Sequence, residues 1–223
     1  MRPAASLAAT LFMLAALLVP ASSGALESAT TQYRVGYNGL SARGSMSLRP
    51  SGNRWVVTLK MGNAVASIDQ STVFDVNGGR LRPLGSSRRV DTAISGKAIT
   101  TTFDWRAGSA RWKGDVKPSR AGPVALQAGD IDMLLLNVAL ARDVAAGRAT
   151  RYRVVDNGHA RMLAFKRLGT ETVTVDGRKR EAVKLFAAAD GRQYVAWIVP
   201  GMALPARFLQ HEPDGDTIDM RAA

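Results

Sequence analysis

No cysteine occurs among the 223 residues of the chain. Disulfides, thiolate metal sites and a cysteine nucleophile are therefore excluded. So is a lipid anchor carried on a cysteine behind an export signal. Histidine is nearly absent: His159 and His211 each stand beside a turn signal, and neither belongs to an HExxH or other ligand spacing. No metal site and no cofactor are expected. Aromatic residues make up only 6%. They are not interleaved with basic residues as base-stacking surfaces require, so nucleic acid is not an expected partner. Acidic residues are outnumbered, 18 against 30 Lys and Arg, for a formal net charge of +12. Beyond residue 25 no segment matches the roughly 20 apolar residues that a bilayer crossing takes. The best, Ile131 to Ala141, is bracketed by Asp130 and Arg142.

Residues 1–25 are the exception. Met1-Arg2 gives a basic start, an uncharged apolar run extends from Leu7 to Val19, and Pro20 leads into small residues ending Ser23-Gly24-Ala25. That is the order of a secretory signal peptide. Its apolar run is too short for a transmembrane anchor. Cleavage after Ala25 is expected, leaving residues 26–223 as one soluble, β-rich periplasmic domain, long enough to bury a core without staples. A basic exported protein is drawn to anionic surfaces such as lipid head groups and acidic polymers. An arginine-rich composition also follows from a GC-rich genome, and composition alone does not separate the two.

Short alternating segments punctuated by turn dipeptides dominate the rest. Asn38-Gly39, Asn77-Gly78-Gly79, Asp176-Gly177, Asp190-Gly191 and Asp214-Gly215 supply residues that tolerate positive φ. Between them, Trp55, Val57 and Leu59 share one face of a strand, and Ile99, Thr101, Phe103 and Trp105 share one face of another. Period two between turns predicts antiparallel hairpins, and the spacing accommodates about 10–13 strands. The fold class is mainly β, with α+β at the margin: a curved antiparallel sheet or an open barrel.

One segment breaks the alternation. Asp130 to Gly147 reads as a helix near 130–146, with Asp130 as N-cap, Asp132 in the first turn and Gly147 just past the end. Ile131, Leu134, Leu135 and Val138 make an apolar stripe that Met133, Leu136 and Leu140 widen. A solitary helix of this kind must pack on a concave sheet face or plug a barrel mouth. The stretch before it, Lys117 to Gly129, reads as a loop.

No catalytic constellation stands out. No serine has the GxSxG frame of a nucleophile elbow, and Asn77-Gly78-Gly79-Arg80 is a hairpin turn rather than a phosphate loop. Most acids (Asp176, Asp190, Asp214, Asp216) occupy turn positions where the carboxylate bonds local backbone. Asp104, between Phe103 and Trp105, reads as the polar face of a strand. Basic residues cluster at Arg80, Arg82, Arg88 and Arg89, at Arg148, Arg151 and Arg153, and at Arg178-Lys179-Arg180. The last cluster flanks Asp176-Gly177 and reads as a solvated hairpin tip.

An ordered series of landmarks spans residues 31–220. It runs through Tyr33-x-Val35-x-Tyr37-x-Gly39, then Phe74-x-x-x-Gly78-Gly79-Arg80-Leu81-Arg82-Pro83-Leu84, Thr101-Thr102-Phe103-Asp104-Trp105 and Asp130-x-x-x-Leu134-Leu135. It closes with Trp197-x-x-Pro200, Pro205-x-Arg207 and Gln210-x-Glu212-x-Asp214-Gly215. This series resembles the bacterial family called domain of unknown function 3108. The resemblance implies an exported, β-rich protein with no established activity and no catalytic residues to carry over. The implied architecture is similar to half-barrel carriers of the lipoprotein-localisation type, in which a curved sheet wraps a helix and shelters acyl chains; that is an analogy of fold.

The expected function is a periplasmic binding or carrier protein for an apolar or lipid-like component of the cell envelope. Trp55, Phe103, Trp105, Trp197 and Phe208 are the aromatic candidates for lining its cavity. The alternatives are a ligand-free interaction protein of envelope biogenesis and a carboxylate hydrolase of envelope polymers.

Overall fold

The computed structural model describes residues 26–223; the export signal and its cleavage site lie outside the described residues. Turn chemistry sets the hairpins. At Asn38-Gly39 both residues have positive φ, 46° and 83°, the mirror-image turn whose twist matches that of its flanking strands. Asp190-Gly191 repeats this geometry at 52° and 75°.

Before the helix the strands are β1 (Ala29–Tyr37), β2 (Leu40–Ser51), β3 (Arg54–Gly62), β4 (Ala66–Asn77), β5 (Arg80–Thr92), β6 (Gly96–Asp104), β7 (Ser109–Gly114) and the short β8 (Val124–Ala125). After α1 (Leu135–Ala145) come β9 (Arg151–Asp156), β10 (His159–Ala164), β11 (Lys166–Val175), β12 (Arg178–Ala189), β13 (Arg192–Ile198), β14 (Arg207–His211) and β15 (Thr217–Ala222). Thirteen strands form one antiparallel sheet in the order β11-β12-β13-β14-β15-β1-β2-β3-β4-β5-β6-β7-β8. The first and last described strands pair inside it, with Val35 opposite Met220. β9 and β10 form a separate two-stranded hairpin. The chain is mainly β with one α-helix among the described residues, as its alternation predicts. The sheet does not close into a barrel: β11 and β8 are its edges.

The sheet nevertheless wraps. The helix α1 packs against both β13 and β5. Those strands are seven places apart in the order, about 33 Å in a flat sheet at ordinary strand spacing. A helix only about 10–12 Å across touches both when the sheet curls around it. Tyr33, Met46, Leu48, Val57, Phe74, Tyr194 and Ile198 line the concave face, and Leu135, Leu136, Val138 and Leu140 meet them, all essentially inaccessible to solvent. Each such side chain contributes about 1.5–3 kcal/mol on leaving water. A smaller cluster of Phe103, Ala110, Trp112 and Val155 joins the β9–β10 hairpin to the far end of the sheet.

The helix begins later than its sequence signals predict. Asp130 is not the N-cap. Its carboxylate accepts hydrogen bonds from the Arg153 guanidinium at 2.5 Å and from the Gln127 backbone N–H at 2.8 Å. Ile131 is held as a bridge to β9: its N–H donates to the Arg153 carbonyl at 3.2 Å, and its carbonyl accepts from the Val155 N–H at 2.8 Å. That pairing keeps the backbone extended where the sequence signals ask for a first turn. Asp132 does the capping instead, accepting the Leu135 N–H at 2.8 Å. Gly147, with φ 63°, lies just past the end as predicted. Within the predicted loop are a 3₁₀ turn at Pro118–Arg120 and β8.

Candidate concave-face binding cavity

Curling the sheet round the start of α1 leaves one side of the concave face incompletely filled. A cavity of about 330 Å³ lies there, at the low end of the range of about 300–1,000 Å³ usual for ligand sites. Its apolar part is supplied by Met46 on β2, Met61 on β3, Met133 and Leu134 before the helix, Phe208 on β14 and Met220 on β15. Unbranched thioethers reshape themselves round irregular apolar guests better than branched side chains do. The strand residues reach the cavity because alternation turns every second side chain of each strand inward.

The other end is polar. Arg88, Arg161 and Arg192 line it, together with Asp156, Gln210 and Glu212. Glu212 accepts a hydrogen bond from the Arg192 guanidinium at 2.7 Å and another from the Gln210 amide. Arg161 lines the cavity with only 11% of its side chain exposed; its Nε makes a loose ion pair with the Asp190 carboxylate at 3.6 Å, longer than a hydrogen bond, and its Nη1 approaches the Tyr194 hydroxyl at 3.5 Å. Its Nε and the Asn137 side-chain oxygen are buried with no hydrogen-bond partner among the described residues. Groups of that kind are uncommon in a finished core, and leaving one unmade costs about 1–3 kcal/mol. Burial pushes the Asp156 carboxyl above its usual range, against the pull of Arg161 and Arg88. The Tyr194 hydroxyl is raised by burial as well.

The five aromatic candidates do not converge. Phe208 lines the cavity. Trp55 packs against the main core from β3, paired opposite Phe74. Phe103 sits in the smaller cluster, with Trp105 packed against it and donating its indole N–H to the Pro83 carbonyl at 2.6 Å. Trp197 faces the opposite, convex side, where it lines a different cleft. Sequence reasoning passed over Asn137, Arg161, Arg192 and the methionines. Met133, widening the predicted stripe, was the available hint; the arginines come together only across strands.

Several acidic side chains serve the fold. Asp104 stands on the exposed, polar face at the end of β6, as its spacing predicts, and its carboxylate also accepts the Arg106 and Ala107 N–H groups of the following turn at 3.0 and 2.8 Å. Asp143 on α1 takes Arg148 at 2.6 Å and the Tyr152 hydroxyl at 2.9 Å.

Residues 32–222 match the family described as "Protein of unknown function (DUF3108)". The chain belongs to the DUF3108 family. The match runs from within β1 to the end of β15, so the DUF3108 unit includes the helix, the hairpin behind it and both sides of the cavity. No curated protein matches the chain. Among the described residues of this DUF3108 chain no helix is long and apolar enough to cross a membrane.

Proposed function

We propose that this protein is a soluble periplasmic carrier for a small amphiphile of the cell envelope, held in the concave cavity. One observation carries the reading. A methionine-rich apolar wall faces a polar end in which Asn137 and Arg161 have hydrogen-bonding atoms without partners among the described residues. A hydrocarbon chain suits the first, and a hydroxylated or anionic head suits the second. The volume favours one chain over several. The export-signal pattern of residues 1–25 and a net charge of +12 agree with an anionic envelope ligand. A hydrolase is the weaker reading, because Glu212 is committed to Arg192 and Gln210.

Native mass spectrometry of protein recovered from the periplasm tests this, followed by titration of the delipidated protein with dodecanoate and lysophosphatidylglycerol. The expected result is a one-to-one adduct that Met133→Trp, by filling the cavity, abolishes and Arg161→Gln weakens about tenfold. No uptake of either probe, or uptake indifferent to Met133→Trp, overturns the reading and leaves the ligand-free interaction protein.

A further inference from the structure

The convex face carries a row of charge that the concave cavity does not use. Lys184, Trp197, Arg207, Arg221, Arg34 and Arg43 stand directly opposite one another on six neighbouring strands, from β12 to β2. Residues so paired have Cβ atoms about 4.5–5.5 Å apart, and like charges at that spacing repel.

Three of the five cations in the row are engaged by carboxylates. The Lys184 ammonium lies 2.8 Å from the Glu171 carboxylate, which also accepts the Trp197 indole N–H at 2.9 Å. Arg207 stacks on the Trp197 ring at 4.3 Å and donates two hydrogen bonds to Asp219, both at 2.8 Å. Arg221 reaches the same carboxylate at 2.6 Å. Hydrogen bonds from Lys184 and Trp197 hold the Glu171 carboxyl below its usual range. Burial would raise Asp219, but Arg207 and Arg221 outweigh it and hold that carboxyl low as well.

The other two are not. Arg34 and Arg43 are exposed, directly opposed, and among the described residues neither meets a carboxylate within ion-pair distance. The two carboxylates beside them are already engaged. These two guanidiniums also do not stand on open surface. The turn between β11 and β12 reaches back to the end of the chain, where the Asp176 N–H donates to the Ala223 carbonyl at 3.0 Å and the Ala223 N–H to the Gln32 carbonyl at 2.9 Å. Between that hairpin and β15, β1 and β2 lies a cleft of about 1,010 Å³, lined by all four arginines and by Glu171 and Asp219. Gly36, Ala42 and Ala206 keep its walls low.

We propose that this cleft binds a phosphate group, with Arg34 and Arg43 on neighbouring strands donating to its oxygens and Arg207 and Arg221, held in place by Asp219, lining the same cleft. A carboxylate satisfies one guanidinium fork. Two neighbouring forks without a carboxylate of their own suit an anion that presents several oxygens and carries more than one negative charge, as phosphate monoesters and pyrophosphates do. The site is separate from the concave cavity and does not rest on the amphiphile reading.

The test uses protein expressed as the full chain. Isothermal titration with pyrophosphate reports free phosphate groups, and co-sedimentation with phosphatidylcholine vesicles, with and without phosphatidylglycerol, reports lipid head groups. Binding in either arm is expected, and which arm responds identifies the source. The double variant Arg34→Gln/Arg43→Gln is expected to weaken it at least about tenfold. Removing the same charge from β7 with Arg111→Gln/Lys113→Gln is expected to leave it unchanged. Both arginines in the first variant are exposed and unpaired, so its fold is retained, and circular dichroism checks this. No binding in either arm overturns the proposal, as does equal weakening by the two double variants. Dodecanoate uptake measured on the same samples keeps the two readings apart: loss of phosphate binding with uptake intact concerns this cleft alone.

Discussion

The Thr72 hydroxyl, in the middle of β4, donates a 2.6 Å hydrogen bond to Asp132 at the entrance to the helix. The same carboxylate caps Leu135 through its other oxygen. One side chain thus fixes where the helix starts and which part of the sheet it leans on. Asp130 on Arg153 and Ile131 on β9 complete the attachment. Three consecutive residues tie the buried plug to the sheet and to the hairpin behind it, and the cavity lies beside that attachment.

Burial pushes the Asp132 carboxyl up to about 6, against its hydrogen bonds from Thr72 and Leu135. A raised carboxyl means that the native state binds the proton more tightly than the unfolded chain. The native state is therefore favoured by this group at low pH and loses that advantage as pH rises from about 4 through about 6. Asp132→Asn keeps a capping oxygen without the charge. It is expected to flatten this part of the profile and to gain on the order of 3 kcal/mol at neutral pH relative to the ionised form. Urea unfolding across that pH range checks the sign, and a stability that climbs with pH through the window contradicts it.

Thr72→Val leaves the buried Asp132 oxygen without its donor. The expected loss is about 1–3 kcal/mol, larger above pH 6, where the carboxylate is ionised. Chemical denaturation of the variant on both sides of pH 6 measures the difference.

Asp143 gathers Arg142, Arg148 and the Tyr152 hydroxyl at the far end of α1. Asp143→Ala removes the shared acceptor and leaves Arg142, largely buried, uncompensated. A loss of about 3 kcal/mol is expected, against about 1 kcal/mol for Tyr152→Phe, which deletes one hydrogen bond. Thermal melts of the two variants should rank in that order.

Leu140→Ala opens a hole between the helix and the sheet. About 2–5 kcal/mol is expected from lost burial and the residual cavity. Met133→Trp is expected to cost less, because it grows into existing space. Comparing their denaturation midpoints tests whether the cavity side of the plug is the looser side.

Arg34 and Arg43 repel across their strand pair. Arg34→Gln/Arg43→Gln is therefore expected to raise the melting temperature in phosphate-free, low-salt buffer by roughly 1–3 °C. Added salt should shrink the difference. A fall in melting temperature would mean that the two arginines stabilise the sheet by some other contact.

Much of the fold was legible because its causes are local. Asn38-Gly39 and Asp190-Gly191 specify their turns within two residues, and alternation specifies which side chains share a face. Thr101 and Phe103 are buried while Thr100, Thr102 and Asp104 are exposed, as their spacing predicts. The helix start was misread because a distant strand overruled a local signal: β9 claims Ile131, and the cap passes from Asp130 to Asp132. Contiguous arginine clusters were a poor guide to shared sites. Arg82 is taken by Asp75, Arg148 by Asp143 and Arg153 by Asp130, while Arg178, Lys179 and Arg180 remain on an exposed tip.

By itself the sequence determined a cysteine-free, basic, mainly antiparallel protein with one buried helix, because composition and period two act over a few residues at a time. Tertiary structure alone decided that Arg34, Arg43, Arg207 and Arg221 form one row, that Trp197 belongs to that row and not to the concave cavity, and that Arg161 and Asn137 line the same cavity. Rows across a sheet depend on strand order and register. Here β15 closes onto β1, which brings the two ends of the described chain side by side, and no short-range pattern in either segment records that pairing.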